Sequence, residues 1–385
     1  MNPNPHPPKP ASVAAAADSS ADSANHSAAL LALIRQHIDQ AGGWLPFDRF
    51  MHLALYADGL GYYARASQKF GALPASGSDF ITAPELSPVF GQLLARQVAQ
   101  ALQATGTRQV WEFGAGSGAL AEQLLQALGE QVQRYVIVDV SGHLRARQRQ
   151  RLAAWGERVQ WLDQLPEAIE GVIVGNEVLD AMPVQLLARQ NGQWHERGVR
   201  WQADGNRLAW QDRPTALRPP LEIDGPQDYL TEIHPQAEGF IRTLAQHLRR
   251  GAALLIDYGF PEAEYYHPQR HMGTLVCHRA HQVDSDPLQE VGLKDITAHV
   301  NFTAMALAAQ QAGLQVLGYT SQAHFLVNCG LLSQLELLPS TSRGQAAKLI
   351  MEHEMGELFK VLALGAGAHD WQPLGFVQGD RTHRL

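Results

Sequence analysis

The chain has 385 residues, of which 45% are hydrophobic and 18% charged, and carries a net charge of −8. That size and balance allow a large core in two or three lobes, the negative charge gives no overall basic field for nucleic acid, and no apolar run is long enough to span a membrane. Only Cys277 and Cys329 occur, far apart, which argues for reduced thiols in a cytoplasmic setting rather than a disulfide framework.

Residues 1–28 are rich in Pro, Ala, Ser, Asp and Asn, too poor in apolar surface to offset the entropy of ordering, so they read as a disordered tail. Order is expected from Leu30, where Leu31, Leu33, Ile34 and Ile38 follow at helical spacing, and a second helix from Leu86 to Leu102 completes a helical cap over residues 29–105. Between them Gly59-Leu60-Gly61-Tyr62-Tyr63 suggests a shaped loop.

From Arg108 short apolar runs alternate with helical segments, the pattern of a parallel sheet covered by helices. The expected strands are Gln109–Phe113, Tyr135–Asp139, Arg158–Leu162, Gly171–Gly175, Ala252–Asp257, Leu314–Thr320 and a last one near Leu374–Val377. Such an α/β arrangement suits a seven-stranded, Rossmann-like sheet of the class I methyltransferase type. Residues 106–183 and 237–385 are read as its two halves. The connections at 184–236 and about 260–304 are too long for simple crossovers and should be insertions forming a substrate lobe. Within the first, Trp194–Gln211 alternates aromatic and polar residues around Asp204-Gly205-Asn206, the signature of a hairpin.

The densest chemical signal is Glu112-Phe113-Gly114-Ala115-Gly116-Ser117-Gly118-Ala119. A strand enters a turn whose glycines let backbone approach a ligand, and a helix follows. The spacing also satisfies the dinucleotide fingerprint, with Asp139 at the next strand end for a ribose hydroxyl, so an NAD-dependent oxidoreductase competes. The third glycine, Gly118, and the acid Glu112 favour S-adenosylmethionine (SAM), because a carboxylate there repels a pyrophosphate and pairs with an amino group. A hydrolase elbow at Ser117 is disfavoured because Ala115 and Ala119 occupy its outer positions. A second constellation, Asn176-Glu177-Val178-Leu179-Asp180-Ala181-Met182-Pro183, follows the fourth strand and should face the same crevice. No His, Cys or acid cluster has metal-ligand spacing.

These stretches, with Gly77-Ser78-Asp79-Phe80-Ile81-Thr82-Ala83-Pro84-Glu85, Ile256-Asp257-Tyr258-Gly259, Gly273-Thr274-Leu275 and Asp295-Ile296-Thr297-Ala298-His299-Val300-Asn301-Phe302, resemble the MidA-like family from about Leu30 to Val377. That family includes the mitochondrial arginine methyltransferase that assists assembly of respiratory complex I. The resemblance implies a SAM-dependent methyltransferase acting on a protein substrate, with neither nucleic acid nor membrane insertion, and is compatible with a homo-oligomer or with a SAM-binding assembly factor lacking turnover. Its cofactor-binding set is Pro84, Glu85, Glu112, Gly114, Ala115, Gly116, Ser117, Gly118, Asp139 and Asn176. Three positions depart from the family pattern: Asp139 replaces a common Glu, Asn301 replaces a usual Asp and receives no catalytic role, and Ser76-Gly77-Ser78 loosens the Gly-Asp-Phe start.

For a guanidinium acceptor, carboxylates must pair with its planar fork and aim one nitrogen at the methyl group. Glu177 and Asp180 are the first candidates, Asp257 and Tyr258 the second, and His299 could orient the acceptor or take its proton.

Overall fold

Among the described residues the central sheet has one path of seven strands, β1 (Gln109–Phe113), β2 (Arg134–Val138), β3 (Val159–Leu162), β4 (Ile169–Asn176), β5 (Leu248–Phe260), β6 (Gln315–Ser321) and β7 (Phe359–Ala366), and the short Val300–Asn301 pairs in parallel with the end of β5 as an eighth. Their order is β6-β7-β5-β4-β1-β2-β3, with β1 to β5 parallel and β7 antiparallel to both of its neighbours. The computed structural model describes residues 12–64, 82–139, 141–279, 282–367 and 371–385, and side chains from residue 24 onward. The first six strands match the sequence expectation to within a few residues. The seventh does not: Leu374–Phe376 is a single 3-10 turn, and the strand is Phe359–Ala366. All eight of its residues are buried, so it lacks the alternation that marks a half-buried strand, and its apolar run reads equally as a buried helix.

Helices cover both faces. On one lie α3 (Pro88–Thr105) and α4 (Ala119–Leu128), where Phe90, Leu94 and Leu124 pack on Val110, Val172 and Leu254. On the other lie α6 (Pro235–His247) and α7 (Phe302–Gln311), where Ile241, Leu244 and Met305 pack on Trp111, Ile173 and Leu255. The intervening α5 (Gly142–Arg151) follows β2. Each large aliphatic side chain buried this way contributes about 1.5–3 kcal/mol. The start and end of α3 are set locally: the Ser87 hydroxyl accepts from the amide of Val89, Pro88 occupies the first turn, and Gly106 closes the helix at φ 63°.

The two long connections are insertions, as their lengths require. Gln185–Gln190, Gln193–Gln202, Arg207–Pro214 and Tyr229–Ile233 join Leu45–Pro46 in an antiparallel sheet, and Val276–Arg279, Gln282–Asp284 and Asp295–Thr297 form a second. The expected hairpin is there, its turn ending on Asn206 at φ 46°. Residues 29–105, however, are not one cap. Leu30, Ile34, Phe47 and Phe50 of α1 (Ser12–Gln40) and α2 (Phe47–Tyr56) share a core with Val199, Leu208 and Ile296 of the insertions, whereas α3 belongs to the central sheet. The disordered tail expected over 1–28 also needs correction. The helix α1 reaches back to Ser12, across an alanine-rich stretch with high helix propensity, while residues 1–11 lie outside the described residues. Near its middle, His26 Nε2 donates to the Leu60 carbonyl at 2.7 Å and Ser27 Oγ to that of Val291 at 3.0 Å.

Candidate functional site

Parallel strands place their carboxyl ends along one edge of a sheet, and there the chain builds a cavity of about 750 Å³, within the range of small-molecule sites. It is lined by Pro84, Glu85, Glu112, Gly114, Ala115, Gly116, Ser117, Asp139, Asn176, Glu177, Asp180, Tyr258 and His299. Of the candidate catalytic and cofactor-binding residues, all but Gly118 and Asp257 line it. The Gly77–Ile81 part of the first motif lies outside the described residues.

The glycine turn has the backbone its sequence requires. Gly114, Gly116 and Gly118 adopt φ values of 62°, 52° and 82°, in the left-handed region that side chains avoid. A Cβ on Gly116 would meet nothing within 4 Å, so the space above this residue is open to a ligand. Gly118 instead begins α4. Beside the turn, Ser117 is bonded to Glu85 and accepts from Arg151 Nη1 at 2.8 Å. A hydroxyl tied to a carboxylate and an arginine, with no histidine among its hydrogen-bond partners in the described residues, is not an activated nucleophile, which counts against the hydrolase reading.

Glu112 and Asp139 flank the turn. The Tyr135 hydroxyl donates to Glu112 Oε2 at 2.6 Å, and burial, with a smaller push from Asp139, raises the Glu112 carboxyl to about 8. Asp139 accepts from the Ser141 amide at 2.9 Å and from Gln148 Nε2 at 2.8 Å. One bond on each oxygen leaves lone pairs for vicinal hydroxyls.

The second constellation converges on the same cavity. Glu177 sits at φ 53°, a strained backbone for a residue with a side chain; burial, then Asp180 and Asp295, raise its carboxyl to about 8. Asp180 is raised to about 6 by burial, against the pull of a hydrogen bond from Tyr258. Its Oδ1 is buried without a hydrogen-bond partner, as is Asn176 Oδ1. Among the described residues no lysine or arginine pairs with Glu177 or Asp180. His299 packs its ring on Phe260 and edge-on to Tyr258, at centroid distances of 5.3 and 5.1 Å. Burial, with Arg270 and Lys360 nearby, lowers the imidazole to about 4, so it is neutral at physiological pH.

The structure gives Asp257 a different role from the catalytic one expected. Its Oδ2 accepts from the amides of Val178, Leu179 and Asp180 at 3.1, 2.9 and 3.2 Å, and its Oδ1 from Tyr258 at 3.0 Å. It is 1% exposed and clamps the loop that carries Glu177 and Asp180. Asn301 is a helix cap, its Oδ1 accepting from the Ala304 amide, in keeping with the absence of a catalytic assignment.

Sequence reasoning missed Tyr56, Tyr63, Asp295 and Thr297, which also line the cavity. Both segments were noticed, one as a Gly-rich aromatic loop and one as a family motif. Their convergence is tertiary, because Tyr63 and Asp295 meet across 232 residues of sequence.

Residues 93–320 match the model of a family of S-adenosyl-L-methionine-dependent methyltransferases. Curated relatives include the mitochondrial protein arginine methyltransferase NDUFAF7 of Danio rerio, 28% identical over 354 residues, covering 82% of this chain and 80% of that protein. The mitochondrial NDUFAF7 homolog of Caenorhabditis elegans is 25% identical over 371 residues, covering 84% of each. Among solved structures, a superfamily member from Burkholderia thailandensis bound to S-adenosyl-homocysteine superposes with a TM-score of 0.90 at 49% identity, covering 99% of this chain and 100% of that one.

Proposed function

Because the chain belongs to this family of SAM-dependent methyltransferases, we propose that it transfers the methyl group of SAM to a guanidinium nitrogen of a protein arginine. The observation that carries the reading is the placement of Glu177 and Asp180, two carboxylates without a cationic partner among the described residues, in the cavity that the glycine turn opens onto. The NDUFAF7 relatives named as protein arginine methyltransferases support the same acceptor.

SAM, when bound, supplies an electrophilic methyl group on a sulfonium. The residues present fit it: the open space over Gly116 admits its backbone-hugging part, Asp139 has lone pairs for the ribose hydroxyls, and the orphaned Asn176 Oδ1 and the carboxylate of Glu112 suit its amino group.

The acceptor chemistry follows from the two acids. Transfer forms a bond from guanidinium nitrogen to methyl, breaks the bond from methyl to sulfur, and releases one proton from nitrogen. Asp180, raised to about 6, is anionic at neutral pH and holds the guanidinium fork; Glu177, raised to about 8 in the ligand-free cavity, gives up its proton to solvent when the cation binds beside it and can then receive the proton released from nitrogen. A neutral His299 adds no positive charge to repel the acceptor.

The test is incubation with methyl-tritiated SAM and cell protein from a strain lacking the gene, followed by hydrolysis and amino-acid analysis. Methylarginine is the expected product. Glu177→Gln and Asp180→Asn should each slow single-turnover transfer roughly 30- to 1000-fold while largely keeping SAM affinity. Label in another residue type, or unchanged turnover in both variants, would overturn the reading; bound SAM with no transfer to any protein would favour an assembly factor.

A further inference from the structure

Gly273-Thr274-Leu275 lies outside the methyltransferase sheet but holds a side chain of the cavity wall, through a carboxylate of the first insertion. That carboxylate is Glu232, in the strand Tyr229–Ile233, and it is 0% exposed. Its Oε1 accepts from the amides of Thr274 and Leu275 at 2.8 and 3.2 Å, and its Oε2 from the hydroxyls of Tyr265 and Thr274 at 2.8 and 3.1 Å. Gly273 enters this grip at φ 74°, and a Cβ there would stand 2.6 Å from Glu232 Oε1, so the carboxylate itself requires the glycine. The Thr274 hydroxyl, whose proton goes to Glu232, accepts in turn from the His299 amide at 3.1 Å. The His299 carbonyl accepts from His234 Nε2 at 2.9 Å, and the His299 ring packs on Phe260 and Tyr258. His299 is thereby fixed at amide, carbonyl and ring.

The same contact distinguishes the two ring nitrogens. Nδ1 lies 3.4 Å from the Thr274 carbonyl, an oxygen that can only accept. An imidazole that is neutral at physiological pH carries one proton, and this bond assigns it to Nδ1. Nε2 is left as an acceptor with no hydrogen-bond partner among the described residues, on a side chain that lines the cavity with Glu177 and Asp180. We propose that Thr274 is a positioning residue of the transfer, held by Glu232 and acting through His299, whose Nε2 accepts a hydrogen bond from an acceptor N–H and helps aim the reacting nitrogen at the methyl group. The inference rests on the arginine reading and adds a neutral contact to the two acids. A guanidinium has five donors in one plane, so two carboxylates on its fork leave a further N–H to be satisfied. An uncharged nitrogen takes it without adding to the negative charge of the cavity. An imidazole already fixed by Thr274 and His234 loses no further freedom when the acceptor enters.

The experiment uses the full chain with Thr274→Val, Thr274→Ser, His299→Phe and the double variant Thr274→Val with His299→Phe. Single-turnover transfer from methyl-tritiated SAM to cell protein from a strain lacking the gene gives the rates, calorimetry the SAM affinity, and melting curves the integrity of the fold. Heteronuclear NMR of protein carrying nitrogen-labelled histidine gives the tautomer, the His299 signal being identified by its loss in His299→Phe. The full chain should show His299 protonated on Nδ1. His299→Phe should slow transfer roughly 10- to 100-fold and Thr274→Val roughly 10-fold, with SAM affinity within about threefold. Thr274→Ser, which keeps the hydroxyl, should recover the parent rate to within about threefold. Because Thr274 acts through His299, adding Thr274→Val to His299→Phe should cost nothing further, whereas general loosening of the fold would multiply the two losses. A proton on Nε2, full rate in a folded His299→Phe protein, or multiplied losses in the double variant overturns the proposal. If Thr274→Val does not fold, the tautomer and the His299→Phe rate decide in the same way. Each of those results leaves methylarginine formation by the full chain standing, whereas label in another residue type removes the proposed function and the inference with it.

Discussion

Glu177→Gln should make the ligand-free protein more stable at alkaline pH while disabling it. Burial, then Asp180 and Asp295, raise the Glu177 carboxyl from 4.5 to about 8. Below pH 4.5 the group is protonated in the folded and unfolded chains alike. Between 4.5 and about 8 the unfolded chain releases a proton that the folded chain keeps, so stability falls as pH rises, and above about 8 the loss is complete. At 1.36 kcal/mol per pH unit the upper bound is about 5 kcal/mol. Water reaching the partly exposed side chain through the cavity mouth reduces this to on the order of 2–3 kcal/mol. Glutamine keeps the shape and the bond from Asn176 Nδ2, present at 2.9 Å, and has no proton to lose. An unfolding entropy of roughly 2.1 cal/mol/K per residue gives this chain about 0.8 kcal/mol/K, so the variant should melt about 3 °C above the parent at pH 8.5. At pH 5 the two should nearly coincide. Paired melting curves from pH 5 to 9 are the measurement, and equal displacement at both ends, or a variant less stable at pH 8.5, would refute the reasoning.

Gly116→Val should abolish SAM and S-adenosyl-homocysteine binding in a calorimetric titration, because it places a branched side chain in the open space over the turn and strains a backbone at φ 52°; retained affinity would detach the turn from the cofactor. Asp257→Ala should lower stability by on the order of 3–5 kcal/mol in denaturant unfolding, since it strands the buried amides of Val178, Leu179 and Asp180. A cost below about 1 kcal/mol would mean that those amides find other acceptors.

What could be read from the sequence was what is decided locally. The turn at Gly114–Gly118 and the hairpin at Asp204-Gly205-Asn206 carry backbone chemistry that only a few residues satisfy, and both are where the sequence put them. Strand β7 was missed because burial on both faces erases the period-two pattern, and the start of α1 at Ser12 because alanine propensity continues the helix ahead of the apolar repeat that begins at Leu30. Asp257 was assigned to chemistry because an acid at a strand end looks the same whether it faces a ligand or a neighbouring loop. Its partners lie 77 to 79 residues earlier in the chain, and nothing near it in sequence announces them.

That clamp explains how the loop after β4 tolerates what it carries. Glu177 holds a left-handed backbone that costs on the order of 1 kcal/mol, and beside it stand carboxyls held above their ordinary values by burial. Left alone, such a loop would relax by turning its acids toward water. It is prevented from both sides: the Glu177 amide donates to the Ile256 carbonyl at 2.9 Å, and the next three amides converge on Asp257 Oδ2. Both anchors belong to β5, which pairs with β4 in parallel through the buried centre of the sheet. The acids are therefore held by a strand at the buried centre of the sheet, and a cation arriving between them relieves an electrostatic cost already present instead of having to organise the site.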